Sequence, residues 1–460
     1  MKIYNSLTKE KELFKPLKEN HVSLYACGVT AYDYFHIGNA RMMIVFDMIV
    51  RYFRFCGLDV TYVQNITDID DKIIKRAQEQ YVNFDVVTAK YIQALHEDQA
   101  ALGLLPPDQA PRATEFVEEM IAMISQLIED DYAYLSKKGD VLFHIEKFKD
   151  YGKLSHRQLE DLQAGSRVEV DEDKKSPLDF VLWKTAKPGE PFWESPWGKG
   201  RPGWHIECSV MAEYCLGKQI DIHGGGMDLK FPHHENEIAQ TESCTKKPFA
   251  QIWMHVGFLQ VNDEKMSKSL GNFFLAREVL EQYHPEAIRY FMLSGHYRQP
   301  INYSLENLSN ANLALKRFYL SLRDLEKNVE PISKTDYEAA FHEAMKDDFN
   351  TPEAMSVLFE LTREINRLKL VDMETASTQG ALLKKLASSM GLLQCDPDQF
   401  LQGKKENEAD AEKIEALITA RNQARAAKEW AEADRIRKTL DEMNIVLEDG
   451  DQKTLWRHKS

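Results

Sequence analysis

The 460-residue sequence lacks several features that define whole classes of protein. No run approaches the roughly 20 consecutive apolar residues of a membrane-spanning helix, and residues 1–16 contain no apolar segment of the kind that a signal peptide requires. The six cysteines are too few for a disulfide framework in a chain of this length. We therefore expect a cytoplasmic protein whose cysteines are free thiols or metal ligands.

Positive charge is also scarce relative to negative charge. The chain has 58 lysines and arginines against 73 aspartates and glutamates, for a net charge of −15. This balance excludes indiscriminate binding of nucleic acid over the whole surface, but it leaves room for a local basic stripe. A hydrophobic content of 43% is sufficient for a globular core.

Hydrophobic patterning predicts an α/β fold, with a Rossmann-like, doubly wound parallel sheet, an inserted α+β subdomain and helical domains after it. Strands at 22–26, ending at Cys27-Gly28, and at 58–66 flank an apolar helix that ends at Phe55, and the strand pattern returns in GWHIECS, IDIHGGG and IWMHVGFLQV. A polar helix is expected at 155–163 and a linker at 397–408.

The predicted organisation has six segments. They are 1–111 and 204–270 for the two halves of the α/β domain, 112–203 for the inserted subdomain, 271–304 for a connecting region, 305–396 for a helical bundle and 397–460 for a small C-terminal unit.

The glycine motifs that usually bind phosphate, GxGxxG and GxxxxGK[ST], are absent. A different anion site is offered by His36-Ile37-Gly38-Asn39, which we expect at the start of the first long helix, where free N–H groups and the helix dipole favour an anion. His36 and Asn39 share a helix face, and Gly38 allows close backbone approach. An ordinary helix start with a cap is the alternative, and the tetrapeptide alone favours it.

A second candidate is the loop Lys265-Met266-Ser267-Lys268-Ser269, which follows a predicted strand. Its two lysines could stabilise the charge that develops on a leaving pyrophosphate. A solvated charged loop is the alternative.

A metal site is suggested by His233 and Glu237, which are four residues apart and would project from one helix face. Cys27 and Cys208 are possible further ligands. The alternative is a pair of core cysteines beside a solvated acidic helix. Cys56 and Cys215 lie in apolar helical settings and are expected in the core.

The C-terminal unit has a basic stripe with two aromatic residues. Arg421, Arg425 and Lys428 have the spacing i, i+4, i+7, and Arg435, Arg437 and Lys438 follow; Trp430 and Trp456 could stack on unpaired bases. A solvated pair of amphipathic helices is the alternative.

The combination of HIGN and KMSKS resembles the signature of the class I aminoacyl-tRNA synthetases. The chain resembles the cysteine-specific members of this family along nearly its whole length. The segments that carry this resemblance are YACGVTAYDYFHIGN, NITDIDDKIIKRA, PGWHIECS, DIHGGGMDLKFPHHENEIAQ, EKMSKSLGN and DDFNTPEA. One departure is Asn39, where the family has a second histidine. Asn39 keeps a donor on the same face, so we expect activity, but not a role that needs a protonated imidazole there.

This resemblance implies a ligase that activates L-cysteine with ATP, releases pyrophosphate and transfers the cysteine to the 3′-terminal ribose of tRNA(Cys). The implied catalytic residues are His36, Asn39, Lys265 and Lys268, and ATP would also meet Gly38, Asp228 and Ser267. Cysteine would meet Gly28, Thr67 and Trp204, beside one Zn²⁺ held by Cys27, Cys208, His233 and Glu237. Mg²⁺ would accompany ATP.

For the C-terminal unit the resemblance implies anticodon recognition, with Arg421, Arg425, Lys428, Trp430 and Arg435 as the expected tRNA contacts. We expect a monomer without a membrane partner. Two other functions fit a chain of this kind: a ligase that joins cysteine to an amino sugar, and a catalytically silent RNA-binding relative.

Overall fold

The computed structural model describes residues 1–157, 173–261, 264–265, 273–402, 408–443, 445–449 and 454–458. The chain divides into two compact units. The first contains Met1–Glu281, Gly295–Ser304 and Glu343–Pro352, and the second contains Gln282–Ser294, Leu305–His342 and Glu353–Ser460. Within the described ranges, no helix combines the length and the apolarity that crossing a membrane demands.

The first unit alternates strands with helices. Its elements up to residue 130 are β1 (Lys2–Asn5), β2 (Glu10–Leu13), β3 (His21–Thr30), α1 (Ile37–Phe55), β4 (Asp59–Thr67), α2 (Asp71–Gln80), α3 (Phe84–Ala101) and α4 (Val117–Glu129). They are followed by β5 (Ala133–Leu135), β6 (Val141–Phe143), β7 (Phe180–Thr185), β8 (Gly200–Pro202), α5 (Trp204–Leu216), β9 (Ile220–Gly226), α6 (Glu235–Thr245), β10 (Ala250–Val256), β11 (Leu259–Val261), β12 (Glu264–Lys265) and α7 (Ala276–Gln282). Short helical turns occur at Ala113–Glu115, Ile145–Lys147 and Lys230–His234.

A four-stranded parallel sheet in the order β10, β9, β3, β4 forms the centre of the first unit. Most residues of these strands are buried, which explains why their sequences are nearly continuous apolar runs. The predicted doubly wound α/β fold is therefore confirmed. β3 does not end at Cys27-Gly28 as expected. It continues to Thr30, with an irregularity in its pairing to β4 between Ala26 and Val29.

The inserted part of the first unit contains an antiparallel sheet in the order β5, β6, β7, β8. Phe143 and Phe180 stack in its core with their ring centroids 5.0 Å apart. The insertion thus has the α+β character that the sequence predicts. Most of the polar helix expected at 155–163 lies outside the described residues.

Beyond residue 282 the chain is mainly helical. Its elements are α8 (Pro285–Leu293), β13 (Ile301–Tyr303), α9 (Leu305–Leu322), α10 (Asp336–Lys346), α11 (Thr351–Leu368), α12 (Met373–Ser388), α13 (Pro397–Gln402), α14 (Glu408–Ala426), α15 (Trp430–Glu442), β14 (Ile445–Asp449) and β15 (Thr454–His458).

One buried carboxylate ties several parts of the second unit together. Glu286, on α8, accepts hydrogen bonds from the hydroxyl of Tyr319 at 2.8 Å and from the backbone N–H groups of Leu393 and Gln394 at 2.8 and 2.9 Å. Further along the chain, α14, α15 and the β14–β15 ladder share a small core of their own, which includes Ile418.

The segment GWHIECS is not a strand, as its pattern suggested, but the beginning of α5. Seven consecutive residues of this helix, from Ile206 to Ala212, are buried. A helix buried on all sides has no apolar stripe with a period of 3.6 residues, and this explains why the pattern was misleading.

The predicted linker at 397–408 is also wrong at its start, because 397–402 form α13. Phe400 is buried there and stacks on Tyr319 with ring centroids 4.0 Å apart, and Pro397 occupies the first helical position, which proline tolerates well. Cys56, expected in the core, is exposed at the end of α1, and Cys215 is only partly buried.

Candidate active site

A cavity of about 330 Å³ opens at the carboxyl ends of β3, β9 and β10, beside the start of α1. The chain leaves β3 towards β4 on one side, whereas β9 and β10 lie on the other side, so the cavity sits where the strand order reverses. This crevice is the usual ligand site of an open parallel sheet. The predicted residues that line it are Gly28, His36, Gly38, Asn39, Trp204 and Asp228.

His36 is the N-cap of α1, as predicted, but the N–H groups behind it are not open to a ligand. The His36 Nδ1 atom accepts hydrogen bonds from the N–H groups of Gly38 and Asn39 at 3.1 and 3.3 Å, and the Asn39 side-chain oxygen accepts from the His36 N–H at 3.3 Å. Because Nδ1 is an acceptor, a neutral His36 ring carries its proton on Nε2. Any anion here would therefore be bound by side chains.

The lysine-rich motif begins in β12, which contains the backbone of Lys265 and pairs with β11. Met266, Ser267, Lys268 and Ser269 lie outside the described residues. The chain after them returns to His36: the N–H of Ile37 donates to the carbonyl of Phe274 at 3.0 Å, and the rings of His36 and Phe273 are 5.1 Å apart. The segment that follows one motif thus contacts the other motif directly.

Two glycines allow close packing around the strands that end at the cavity. The N–H of Gly28 donates to the side chain of Asn65 at 2.8 Å, and a β-carbon at position 28 would collide with the carbonyl oxygen of Asn65. A β-carbon at Gly224 would collide with the ring of Phe46. Asp228 follows the end of β9 and lines the cavity.

The four predicted metal ligands converge in the structure. Cys27 comes from β3, Cys208 from α5, His233 from the turn before α6 and Glu237 from α6, and all four are buried. Their donor atoms all lie within 4.8 Å of one another.

The spacing of these donors suits a tetrahedral zinc ion. The two sulfurs are 3.7 Å apart, the Cys27 sulfur is 3.6 Å from Glu237 Oε1, and His233 Nε2 is 3.0 Å from the same oxygen. Zinc at about 2.3 Å from sulfur and about 2.1 Å from nitrogen or oxygen would place two sulfurs about 3.8 Å apart and a sulfur about 3.6 Å from an oxygen. The residues present therefore fit zinc.

The electrostatics of the cluster also favour a cation. The hydrogen bond from Cys27 lowers the pKa of Cys208 to about 6, whereas burial raises the pKa of Cys27 well above its usual value. Burial opposes a charge on Glu237, but the neighbouring His223 and His233 hold its pKa well below its usual range. The metal-free cluster thus contains anionic donors, and binding of a metal would release the remaining thiol proton.

A second donor set overlaps the first and was missed from the sequence. Cys27 and Glu237 also lie close to His223 and His234, with His223 Nε2 3.6 Å from the Cys27 sulfur and 3.1 Å from Glu237 Oε2. His234 Nδ1 is 2.9 Å from His255 Nε2. For this set the sequence offers only one signal, the adjacent pair His233-His234. His223 and His255 lie on the neighbouring strands β9 and β10, so spacing along the chain does not place them beside that pair.

Trp204 connects the first donor set to the cavity. It lines the cavity and stacks on the His233 ring with centroids 4.3 Å apart, while it remains 41% exposed. Thr67 is placed differently: it is buried, its hydroxyl donates to Glu207 at 2.8 Å, and it is absent from the described residues that line the cavity.

The predicted basic stripe of the C-terminal unit is only partly present. Arg421 is buried, and α14 ends at Ala426, so Lys428 lies beyond the helix, at a positive φ of 62°. Arg425, Lys428, Trp430, Arg435, Arg437 and Lys438 are exposed.

Trp456 cannot stack on a base as expected. It is 5% exposed in the small core, and its indole N–H donates to Glu415 at 2.8 Å.

Comparison with protein families matches three parts of the chain. Residues 13–313 match the class I (C) tRNA synthetase catalytic domain, residues 340–394 match the DALR domain, and residues 409–457 match the cysteinyl-tRNA ligase anticodon binding domain.

Full-length relatives agree with these matches. The chain is 57% identical to a cysteine–tRNA ligase of Coxiella burnetii (strain Dugway 5J108-111) over 460 residues, covering 100% of both chains, and 57% identical to that of Pseudomonas aeruginosa (strain LESB58) over 457 residues, covering 99% of both. Among solved structures, the Mycobacterium tuberculosis methionyl-tRNA synthetase in complex with methionyl-adenylate has a TM-score of 0.58 at 16% identity, covering 80% of this chain and 89% of that one.

Proposed function

The chain belongs to the cysteine–tRNA ligases, a family of class I aminoacyl-tRNA synthetases, and we propose that the cavity at the carboxyl ends of β3, β9 and β10 is where both of its reaction steps occur. In the first step, the carboxylate of cysteine attacks the α-phosphorus of ATP and pyrophosphate leaves. In the second, a terminal ribose hydroxyl of tRNA, the 2′-hydroxyl in this class, attacks the carbonyl and AMP leaves. The convergence of four buried metal donors beside this cavity carries the proposal.

One side of the cavity would bind the phosphates of ATP. His36 would donate from Nε2, the side-chain amide of Asn39 would donate beside it, and Gly38 would leave room for the nucleotide. Lys265, Ser267 and Lys268 would neutralise the departing pyrophosphate, together with the Mg²⁺ that accompanies ATP. The backbone contact between Ile37 and Phe274 supports this pairing of the two motifs. Because no covalent enzyme intermediate forms, positioning and electrostatic stabilisation would supply the rate.

Asp228 would bind the ribose of ATP. It follows the end of β9 and lines the cavity, so its carboxylate can accept from ribose hydroxyls there.

The other side of the cavity would select cysteine, with Cys27, Cys208, His233 and Glu237 as the ligands of one zinc ion. A zinc ion held there would bind the substrate sulfur as a thiolate, a bond that the harder hydroxyl of serine cannot match. Trp204 and Gly28 would enclose the substrate side chain. Thr67 would not contact the substrate directly. It would act indirectly, through its hydrogen bond to Glu207.

The acceptor of the cysteine would be tRNA(Cys), bound in part by the exposed cations and Trp430 of the C-terminal unit. The match of residues 409–457 to an anticodon binding domain supports tRNA over an amino sugar, and the convergence of the metal donors argues against a silent relative. We also propose a monomer that works in the cytoplasm, where tRNA is charged.

Pyrophosphate exchange into ATP, measured with each of the twenty amino acids, tests this proposal. Cysteine should support exchange and serine should not. Exchange with serine at a rate comparable to that with cysteine would contradict the assignment of the metal cluster to substrate selection.

A further inference from the structure

Lys72 is the only lysine or arginine among the described residues that line the cavity. It is the second residue of α2, the helix that follows β4. β4 is the edge strand of the central sheet, and β10 forms the opposite edge. Lys72 therefore belongs to the end of the cavity that is farthest along the sheet from β10.

The charge of Lys72 is not matched by a carboxylate in the described part of the chain. Its ammonium group lies 5.4 Å from the ring centroid of Tyr32, which also lines the cavity. Two of the nearby carboxylates pair with other cations: Asp33 with Arg76 at 2.9 Å, and Asp71 with Lys184 at 2.8 Å. A cation left without an acidic partner at the edge of a cavity attracts an anion.

The backbone that carries Lys72 is well fixed. Asp70 caps α2 by accepting from the Lys72 N–H at 2.8 Å. Asp71 ties the same turn to the inserted antiparallel sheet, through Lys184 on β7 and Arg201 on β8. Only the side chain of Lys72 needs to move to meet a ligand, so little order would be lost on binding.

We propose that Lys72 binds a phosphodiester group in the 3′-terminal nucleotides of the tRNA during the transfer step. This inference rests on the proposed use of the cavity. In the proposed function, His36, Asn39 and the loop after β12 bind the phosphates of ATP. β12 pairs with β11, and β11 follows β10 in the chain. A phosphate bound at the β4 end of the cavity is therefore not one of the ATP phosphates. The other substrate that carries phosphate is the acceptor tRNA.

The test compares Lys72→Gln with Lys75→Gln, a matched control on the same helix. Lys75 is exposed, lies 3.9 Å from Glu79 and does not line the cavity. For Lys72→Gln we expect cysteine-dependent pyrophosphate exchange within about twofold of the unmodified protein. Single-turnover transfer from preformed cysteinyl-adenylate should fall at least about tenfold, on the scale of one lost electrostatic contact. Lys72→Arg should restore most of the transfer rate.

Two further measurements identify the source of the phosphate. The salt dependence of tRNA binding should weaken by about 0.7 in its log–log slope for Lys72→Gln, as for one contact with a single-stranded phosphate. The variant should lose affinity for intact tRNA but not for tRNA that lacks its 3′-terminal nucleotides. If exchange falls as far as transfer, Lys72 serves ATP and the proposal is overturned; the same holds if Lys72→Gln and Lys75→Gln behave alike. An unmodified protein without cysteine-dependent exchange would instead contradict the proposed function.

Discussion

The sulfur atoms of Cys27 and Cys208 lie 3.7 Å apart, one on a strand of the central sheet and the other in the first turns of the helix that precedes β9. Because zinc prefers thiolate ligands, Cys208→Ser should lose both bound zinc and affinity for cysteine. The unmodified protein should contain about one zinc per chain by elemental analysis. Cys56→Ser is the control, since Cys56 is exposed and outside the cluster, and it should keep its zinc. Full zinc content in Cys208→Ser would exclude that residue from the site.

The double role of His36 can be separated by two substitutions. His36→Asn should preserve the N-cap of α1, because asparagine caps helices well, whereas His36→Ala should lose about 1 kcal/mol of unfolding free energy as well. Both should lower the maximal rate of pyrophosphate exchange by about 10²-fold, the scale of one lost donor to developing charge. Denaturant unfolding together with exchange kinetics measures the two effects. An unchanged maximal rate in His36→Asn would limit His36 to capping.

Trp204 should affect substrate binding more than metal binding. Trp204→Ala removes a cavity wall and the ring stacked on His233, but it leaves all four donors in place. We expect the KM for cysteine to rise about tenfold at unchanged zinc content, and Trp204→Phe to have a smaller effect because it keeps an aromatic ring over His233. Loss of zinc in Trp204→Ala would instead show that the stack supports the metal site.

The place of truncation decides whether the rest of the chain stays intact. A protein that ends at Gln402 keeps α13, so pyrophosphate exchange should remain within about twofold of normal, while charging of tRNA should fall about 10²-fold. A protein that ends at Asp396 loses Phe400 from its stack on Tyr319 and should melt at a lower temperature. Aminoacylation and thermal unfolding test both variants. Normal charging by the 1–402 protein would show that the C-terminal unit does not recognise tRNA.

The two tryptophans of the C-terminal unit should behave differently. Trp430 is 60% exposed, so Trp430→Ala should lower kcat/KM for tRNA about tenfold, as expected for the loss of one base stack, and leave stability unchanged. Trp456 is buried, so Trp456→Ala should instead destabilise the unit by about 3–5 kcal/mol. Charging kinetics and chemical denaturation distinguish the two outcomes. Equal loss of stability in both variants would contradict this assignment.

Local signals in the sequence predicted local structure well. α1 begins and ends where its capping residues and apolar pattern indicate, because both signals act within a few residues. The strand prediction for GWHIECS failed because α5 is buried on all sides and its sequence has no helical period. The basic stripe failed at Arg421 because spacing along a helix does not show which face packs against a neighbour.

The candidate metal site depended on information that spacing does not contain. Only His233 and Glu237 are close in sequence, and their contact at 3.0 Å follows from helical geometry. Cys27 and Cys208 join them through the order of strands in the sheet, and family resemblance was needed to select them. His223 was missed for the same reason, since β9 brings it into the cluster from another strand.

Asp348 has a consequence for how the protein is made. This buried residue accepts hydrogen bonds from the Tyr4 N–H at 2.8 Å, the Tyr297 hydroxyl at 2.7 Å and the Arg298 side chain at 2.7 Å, so it joins three distant segments of the first unit. The nascent chain cannot complete that unit until Glu343–Pro352 has left the ribosome, and two segments of the second unit, Gln282–Ser294 and Leu305–His342, are synthesised before it. Because the two units alternate along the chain, neither can be released by a single proteolytic cut.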